Sequence, residues 1–346
     1  MLQSAEFQNF TTVPNDSWKF VSGLNVIIGE NGLGKSHVLK AIYALLKVQA
    51  DKKTDLVKSV LEKVYADKLL GIMRPESMGR LVKRKQGRDR CEIHLTMRDD
   101  RNSCAVGFAT NAKSQVDVIQ APKQLLEKSP VFLPTRELVT LCPWFLSLFD
   151  NYHLEFEESW RDTVSLLGAP TLKGPREKKV AELILPLEEA MGGKVVVDTA
   201  TGRFYLQISG GGKMEMPLVA EGLRKVAMLV RLISTGTLLE QGYLFWDEPE
   251  TNLNPKLIKL IARCIMNLCK QGIQVFIATH SLFLLRELEI LTENREFKSL
   301  KQRYFSLKAT KDGVDLEQGD HVDDLQTLVL LDEDLEQSDR FMDTGN

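Results

Sequence analysis

The sequence predicts an α/β fold in which a mixed sheet carries antiparallel β elements and a lobe of helices is inserted. Three apolar runs of strand length end in glycine or polar residues, at 24–28, 243–246 and 273–278. Continuous apolar runs of this kind are typical of buried parallel strands. Segments 91–97 and 103–110 alternate instead around a polar turn, which predicts a β-hairpin. Residues 138–192 have a helical pattern broken by glycine and proline.

The first apolar run leads into a glycine-rich turn, and a helical segment follows the turn. In order, these residues are Gly29, Glu30, Asn31, Gly32, Leu33, Gly34, Lys35, Ser36 and His37. The G-x-x-x-x-G-K-S spacing between a strand and a helix is that of a phosphate loop. Its glycines let successive N–H groups converge on a phosphate, and the helix N-terminus adds positive charge. We expect Lys35 to reach the β- and γ-phosphates of a nucleotide and Ser36 to ligate Mg²⁺.

Composition limits the other classes of function. A net charge of −2 and a pI near 6.3 give no overall sign of nucleic-acid binding. The five cysteines form no C-x-x-C pair, which favours reduced thiols over a zinc site. The first residues lack the pattern of a signal peptide, and no apolar run approaches membrane-spanning length. We therefore expect a cytoplasmic protein without a membrane partner.

The stretch after the phosphate-loop helix is basic. Residues 51–70 have an amphipathic helical pattern, and the positive charges that follow include Lys83, Arg84, Lys85 and Arg88. These four side chains are candidates for contact with DNA or RNA phosphates. The alternative, a solvated helix face and loop, is the more common role of such a charge run. No aromatic residues lie between the charges, which argues against stacking on single strands.

Two further features lie near 130–160. The short strand 131–133 runs directly into Pro134, Thr135, Arg136 and Glu137, and ligands bind at such strand ends in open α/β sheets. Arg136 is thus a candidate ligand contact, with a local ion pair as the alternative. An aromatic cluster follows, and it comprises Trp144, Phe145, Phe149, Tyr152, Phe156 and Trp160. Such a cluster indicates either core packing or a partner surface.

The candidate catalytic residues follow the second and third apolar runs. Asp247 and Glu248 come directly after 243–246, and His280 comes two residues after 273–278. Asp247 is placed to hold Mg²⁺, and Glu248 is placed to orient a water for attack on the γ-phosphate. A buried strand exit would not otherwise collect this charge. His280 is expected to donate to the γ-phosphate or to fix the attacking water.

The order of these motifs resembles an ABC-type ATPase head. Its parts are the phosphate loop, a glycine-containing helix start at 219–225, the Asp-Glu strand and the His280 strand. The segments 29–37 and 246–255 more narrowly resemble the OLD-like AAA ATPases of bacterial antiphage defence, including the ATPase subunit of the Septu system. A more distant resemblance is to RecF and SMC ATPase heads. The resemblance implies that two protomers sandwich ATP and Mg²⁺, with Glu221 and Gly222 of one reaching the nucleotide of the other. Ala220 replaces the usual signature serine, which implies slow hydrolysis.

Three functions are compatible with this pattern. The leading one is an ATP-hydrolysing subunit of an antiphage complex that dimerises with ATP and regulates a separate effector, expected to be a nuclease. The second is a DNA-repair or chromosome-maintenance head that binds DNA directly. The third is a nucleotide-gated scaffold with little turnover.

We expect one composite head over 1–346. Its predicted parts are a nucleotide-binding lobe (1–50 and 194–310), helical insert segments (51–90 and 138–192) and an acidic C-terminal tail (311–346).

Overall fold

A computed structural model describes residues 1–84, 87–152, 154–171, 176–198, 200–326 and 328–343, without the side chains of 176–179 and 330. The strands are β1 (Leu2–Gln8), β2 (Ser17–Lys19), β3 (Leu24–Gly29), β4 (Arg90–Met97), β5 (Cys104–Ala109), β6 (Asp117–Gln120), β7 (Pro130–Leu133), β8 (Gly193–Val197), β9 (Phe204–Ile208), β10 (Lys213–Glu215), β11 (Tyr243–Asp247), β12 (Gln274–Thr279), β13 (Gln302–Thr310) and β14 (Gly313–Gly319). The helices are α1 (Lys35–Ala50), α2 (Lys58–Met73), α3 (Cys142–Asn151), α4 (Glu158–Leu167), α5 (Arg176–Met191), α6 (Glu221–Ser234), α7 (Pro255–Lys270), α8 (Leu282–Thr292) and α9 (Val329–Asp343).

A six-stranded sheet in the order β14-β13-β3-β12-β11-β7 positions the site. The four pairings from β13 to β7 are parallel, and β14 pairs with β13 antiparallel at the edge. Every residue of β3, β11 and β12 is buried, as expected for strands covered on both faces. The carboxyl ends of parallel strands meet at one edge, so the loops after β3, β7, β11 and β12 come together. The predicted mixed sheet is confirmed.

Side chains alternate across this sheet into two cores. Val26 and Trp246 face the core shared with α6 and α7, whereas Ile27, Phe245 and Phe276 face the core shared with α1. The rings of Phe245 and Phe276 stack with centroids 4.7 Å apart. The period-two alternation of largely apolar strands thus lets one sheet bury both of its faces.

Two smaller antiparallel sheets flank the central one. Their strand orders are β2-β1-β4-β5-β6 and β10-β9-β8. The predicted hairpin is confirmed, because β4 and β5 pair antiparallel over 90–95 and 104–109. Among the described residues, no helix is both long and apolar enough to cross a bilayer.

Buried polar contacts attach the inserted helices to the phosphate-loop helix. Asp162 on α4 accepts hydrogen bonds from Tyr43 on α1 and Lys68 on α2, each at 2.8 Å. At the start of α4, Glu157 pairs with Lys40 on α1 and Glu158 pairs with Lys68. Breaking one partner of such a buried network is expensive, so α1, α2 and α4 form a unit.

The acidic C-terminal segment differs from the predicted tail. Residues 313–319 pair with 304–310 in the central sheet, and residues 329–343 form α9. The dense charge requires only a solvated face, and it does not prevent the backbone from pairing. The central sheet also takes β7 from outside the predicted nucleotide-binding lobe. The division into lobe, insert and tail otherwise stays a prediction.

Candidate nucleotide-binding site

The phosphate loop joins β3 to α1 with a backbone that needs glycine. Gly32 and Gly34 have φ values of 84° and 99°, in the left-handed region that favours glycine. A Cβ on Gly34 would also lie 3.0 Å from Thr12 Oγ1. Gly34 is the N-cap of α1, and no side chain caps that helix. The first N–H groups of α1 are therefore left for an anion.

Lys35 folds back over its own loop. Its Nζ donates to the carbonyls of Gly29 at 2.7 Å and Glu30 at 2.8 Å. Burial lowers the pKa of Lys35, while the carboxylates of Glu248 and Asp247 oppose that shift. The ammonium group thus lies close enough to Glu248 and Asp247 for their charges to act on it, and phosphate oxygens can replace the two carbonyls.

Asp247 and Ser36 meet where the predicted Mg²⁺ would bind. Asp247 ends β11 at 8% exposure, and its Oδ1 has no hydrogen-bond partner among the described residues. Burial raises the pKa of Asp247, and a hydrogen bond from Ser36 opposes this. An orphaned buried carboxylate oxygen beside a hydroxyl suits a hard cation that also takes phosphate oxygens. Within the described ranges, no cluster of three or more His, Cys, Asp and Glu side chains could hold a metal on its own.

Glu248 and His280, predicted from separate strands, lie side by side. His280 Nδ1 is 3.2 Å from Glu248 Oε1, and Thr251 Oγ1 donates to Glu248 Oε2 at 3.1 Å. The Glu248 N–H donates to Ala278 O at 2.9 Å, which fixes the loop against β12. Glu248 has a φ of 46°, an unusual value for a residue with a side chain. A strained residue held by several contacts is typical of functional sites.

Sequence reasoning missed two residues of this network. Glu250 is 7% exposed, and its Oε1 accepts from Thr279 Oγ1 at 2.6 Å. Lys225 is 1% exposed, and its Nζ donates to the carbonyls of Glu248 at 2.6 Å and Thr251 at 3.3 Å. Burial lowers the pKa of Lys225 to about 8. The sequence does contain a signal for Glu250, because Asp247, Glu248 and Glu250 place three acidic residues within four positions. It contains no such signal for Lys225, which is one lysine near the start of a helix.

The helix that carries the predicted signature glycine packs closely on this loop. A Cβ on Gly222 would lie 2.4 Å from Asn252 O, so only glycine fits there without a shift. Glu221 and Ala220 are exposed beside it. Lys225 and Gly222 therefore join α6 to the residues that follow Glu248.

In the loop after β7, it is Glu137, next to the predicted Arg136, that contacts α6. Arg136 is exposed, whereas Glu137 is 4% exposed and accepts from Thr140 Oγ1 at 2.7 Å. Glu137 Oε1 also lies 3.4 Å from Arg224 Nε on α6. The ion pair considered for this loop thus forms with α6 instead of within Arg136 and Glu137.

His37 and part of the basic segment lie along one border of the phosphate loop. His37 Nδ1 is 2.9 Å from Thr11 Oγ1, and burial is the main cause of its lowered pKa. The Thr11 N–H donates to Leu81 O, and the Lys83 N–H donates to Asn9 O. Lys85 lies outside the described residues, and Arg84 and Arg88 are exposed.

Comparison with known proteins finds partial sequence similarity and a shared fold. A family described as "AAA domain, putative AbiEii toxin, Type IV TA system" matches residues 123–286, just under half of the chain. Two proteins named "DNA replication and repair protein RecF", from Streptococcus suis strains 05ZYH33 and 98HAH33, are 30% identical over 165 residues. That match covers 44% of this chain and 42% of each relative.

Solved structures of SMC heads share the architecture. An Smc head bound to the C-winged helix domain of ScpA aligns with a TM-score of 0.58 and 11% identity, over 93% of this chain and 98% of that one. An Smc head with an extended coiled coil, bound to the C-terminal domain of ScpA derived from Pyrococcus furiosus, gives 0.51 and 10% over 99% of both. This chain has the fold of an ABC-type ATPase head. The predicted resemblance to SMC and RecF heads is confirmed, and the narrower resemblance to defence ATPases stays a prediction.

Proposed function

We propose that this head binds ATP with Mg²⁺ and hydrolyses it to ADP and phosphate. The observation that carries the proposal is the meeting of Lys35, Asp247 and Glu248 at one edge of the sheet. The phosphate loop offers free N–H groups at the start of α1, and the opposite wall offers carboxylates held in place. Positioning and electrostatics of this kind are the main source of catalysis in phosphoryl transfer.

Each residue then has a defined task. Lys35 exchanges its contacts with Gly29 O and Glu30 O for phosphate oxygens, while Ser36 and Asp247 hold the cation. When bound, Mg²⁺ neutralises charge on the β- and γ-phosphates. Glu248 accepts a hydrogen bond from a water in line with the γ-phosphate, and His280 orients Glu248. The remaining phosphate-loop residues and His37 form the wall of the pocket.

The site is proposed to be completed by a second copy of this chain. Glu221 and Gly222 start α6 on an exposed surface, where the N–H groups of the helix can meet a γ-phosphate. Ala220 offers no hydroxyl there, so turnover is expected to be slow. Arg136, exposed at the end of β7, is a further candidate contact to the nucleotide.

The proposed cellular role is regulation of a separate effector, a nuclease, in cytoplasmic antiphage defence. The motifs at 29–37 and 246–255 support this role, and so does the toxin description of the matched family. A head that acts directly on DNA is the second candidate. The RecF relatives favour it, and so do the basic residues Lys83, Arg84 and Arg88, of which the two arginines are exposed. DNA retention that falls steeply with salt, and that is lost on reversing these three charges, would support the second candidate over the first.

Glu248→Gln tests the enzyme assignment. Loss of a general base costs about 10²–10⁴-fold in rate, so phosphate release should fall by at least about a hundredfold. The binding shell is kept, so ATP and Mg²⁺ should shift the variant to a dimer in light scattering. Glu336→Gln, on the exposed face of α9, is the matched control. Unchanged phosphate release in Glu248→Gln would refute the catalytic role of Glu248.

A further inference from the structure

An apolar surface next to the start of α6 is not used by the proposed chemistry. We call it the apolar ledge, and it comprises Pro143, Trp144, Leu148, Pro217 and Leu218. Trp144 is 43% exposed, Leu148 38% and Leu218 72%. Trp144 and Leu148 lie one turn apart on α3, so they face the same way. Phe145 is the one residue of α3 that is fully buried.

The two parts of the ledge share one cleft. A cavity of about 570 Å³ is lined by Pro143 and Trp144 on one side and by Met216 and Pro217 on the other. Large apolar side chains clustered on a surface mark an interaction site more often than chance exposure. The five ledge residues are uncharged, and Arg203 and Glu215 line the same cleft, which resembles the apolar centre and polar rim of a protein interface.

The apolar ledge lies close to the start of α6, and this position indicates which partner covers it. Leu218 is four residues before Gly222, so their Cα atoms lie at most about 14 Å apart. A standard interface buries about 800 Å² per partner, a disc of about 16 Å radius. A second copy that brings its nucleotide to Gly222 therefore also comes over Leu218 and the adjoining cleft.

We propose that a second copy of this chain covers the apolar ledge in the ATP-bound dimer. This inference rests on the proposed function, and it adds a contact that no nucleotide motif provides. The usual serine contact to the γ-phosphate is absent at Ala220. Burial of the ledge supplies binding energy that does not depend on that hydroxyl.

The test uses the full chain with Glu248→Gln as background, in ATP and Mg²⁺. Adding Trp144→Ser or Leu218→Ser should raise the dimer dissociation constant at least tenfold in sedimentation velocity. Calorimetric affinity of the monomer for ATP should stay within about twofold. Leu335→Ser is the matched control, because Leu335 is a 55% exposed leucine on α9, and it should leave dimerisation unchanged.

A second measurement uses the Glu248→Gln background alone, so it does not depend on whether the ledge variants fold. Trp18 and Trp246 are fully buried and Trp160 is half-buried, so the largest change in tryptophan emission on dimer formation should come from the exposed Trp144. Hydroxyl-radical footprinting should show protection of Trp144 and Leu218 in the dimer and not in the monomer. A dimer that forms while both residues stay accessible would overturn the inference and leave the proposed function intact. Failure of the background variant to dimerise at all would overturn the proposed function.

Discussion

The candidate nucleotide site has two sides, which we call walls: the phosphate loop after β3 and the acidic residues at and after the end of β11. The two walls differ in how their buried polar groups are hydrogen-bonded. The phosphate-loop wall is built from backbone, and its lysine is satisfied by the carbonyls of Gly29 and Glu30. The opposite wall is built from side chains, and it leaves Asp247 Oδ1 and Glu250 Oε2 without partners among the described residues. The lysine of the phosphate-loop wall thus has hydrogen-bond partners before ligand binds, whereas the opposite wall buries two carboxylate oxygens that have none among the described residues.

The difference lies in how each wall is stabilised. Two unpartnered carboxylate oxygens are expensive to bury, and nearby positive charge reduces that penalty. Lys35 and Lys225 supply it, since the carboxylates of Glu248 and Asp247 act on the pKa of both lysines. The acidic wall therefore depends on a residue of the phosphate loop and on a residue of α6.

Lys35→Ala should have the largest effect, because it removes a charge that serves both walls. Hydrogen bonds to charged groups contribute about 1.5–3 kcal/mol each, so ATP affinity should fall by about a hundredfold. Isothermal titration calorimetry with ATP and Mg²⁺ measures this. Lys256→Ala, on the exposed start of α7, should bind ATP like the parent. Unaltered affinity in Lys35→Ala would contradict the phosphate-loop assignment.

Lys225→Met tests the charge that supports the acidic wall. The pKa of about 8 in the folded protein lies below the ordinary lysine pKa of 10.5, so the unfolded chain binds more protons between these values. The free energy of unfolding should therefore gain a contribution as pH rises from about 8 to 10.5. The full shift corresponds to roughly 3 kcal/mol before solvent screening.

The prediction concerns the difference between the variant and the parent. Burial raises the pKa of all five cysteines, which opposes the lysine effect at high pH in both proteins. Urea unfolding across pH 7–10 should give a less favourable pH slope for Lys225→Met than for the parent. Parallel curves would show that folding does not lower the pKa of Lys225.

Gly222→Ala tests whether α6 must pack closely against the loop at Asn252 of the same chain. The new Cβ would lie 2.4 Å from Asn252 O, and overpacking of this kind costs about 1–3 kcal/mol. We expect thermal unfolding several degrees lower, measured by calorimetry without nucleotide. Gly212→Ala is the control, because its Cβ would meet no atom within 4 Å and its φ is not positive. Equal melting temperatures would mean that α6 can shift away from the loop.

The same contrast between the walls explains what the sequence could reveal. The phosphate loop is eight contiguous residues whose spacing follows from backbone geometry, so a linear pattern is sufficient to find it. Asp247, Glu248 and His280 could be singled out from the sequence because charged or polar residues directly after an apolar strand are unusual. Their catalytic and binding roles remain predictions.

The contacts that Lys225 and Glu137 make could not be predicted from the sequence, for a physical reason. Lys225 contacts a carbonyl 23 residues away, and Glu137 pairs with Arg224 on another element. Neither pairing leaves a periodicity or a spacing in the sequence. The sequence does show a strand-like pattern at 314–316, but the surrounding acidic residues led to the prediction of a tail over 311–346, and the pairing with β13 places this strand in the central sheet.

Thr251→Val should have the smallest effect, because it removes one hydrogen bond from the acidic wall and keeps every charge. Thr251 Oγ1 donates to Glu248 Oε2 at 3.1 Å, and such a bond contributes about 1–2 kcal/mol to the carboxylate position. His280 still contacts the other oxygen of Glu248, so the maximal rate of phosphate release should fall only about five- to tenfold, with ATP affinity unchanged. Thr292→Val, at the end of α8, is the control. A loss as large as that of Glu248→Gln would show that Thr251, and not His280, determines where Glu248 points.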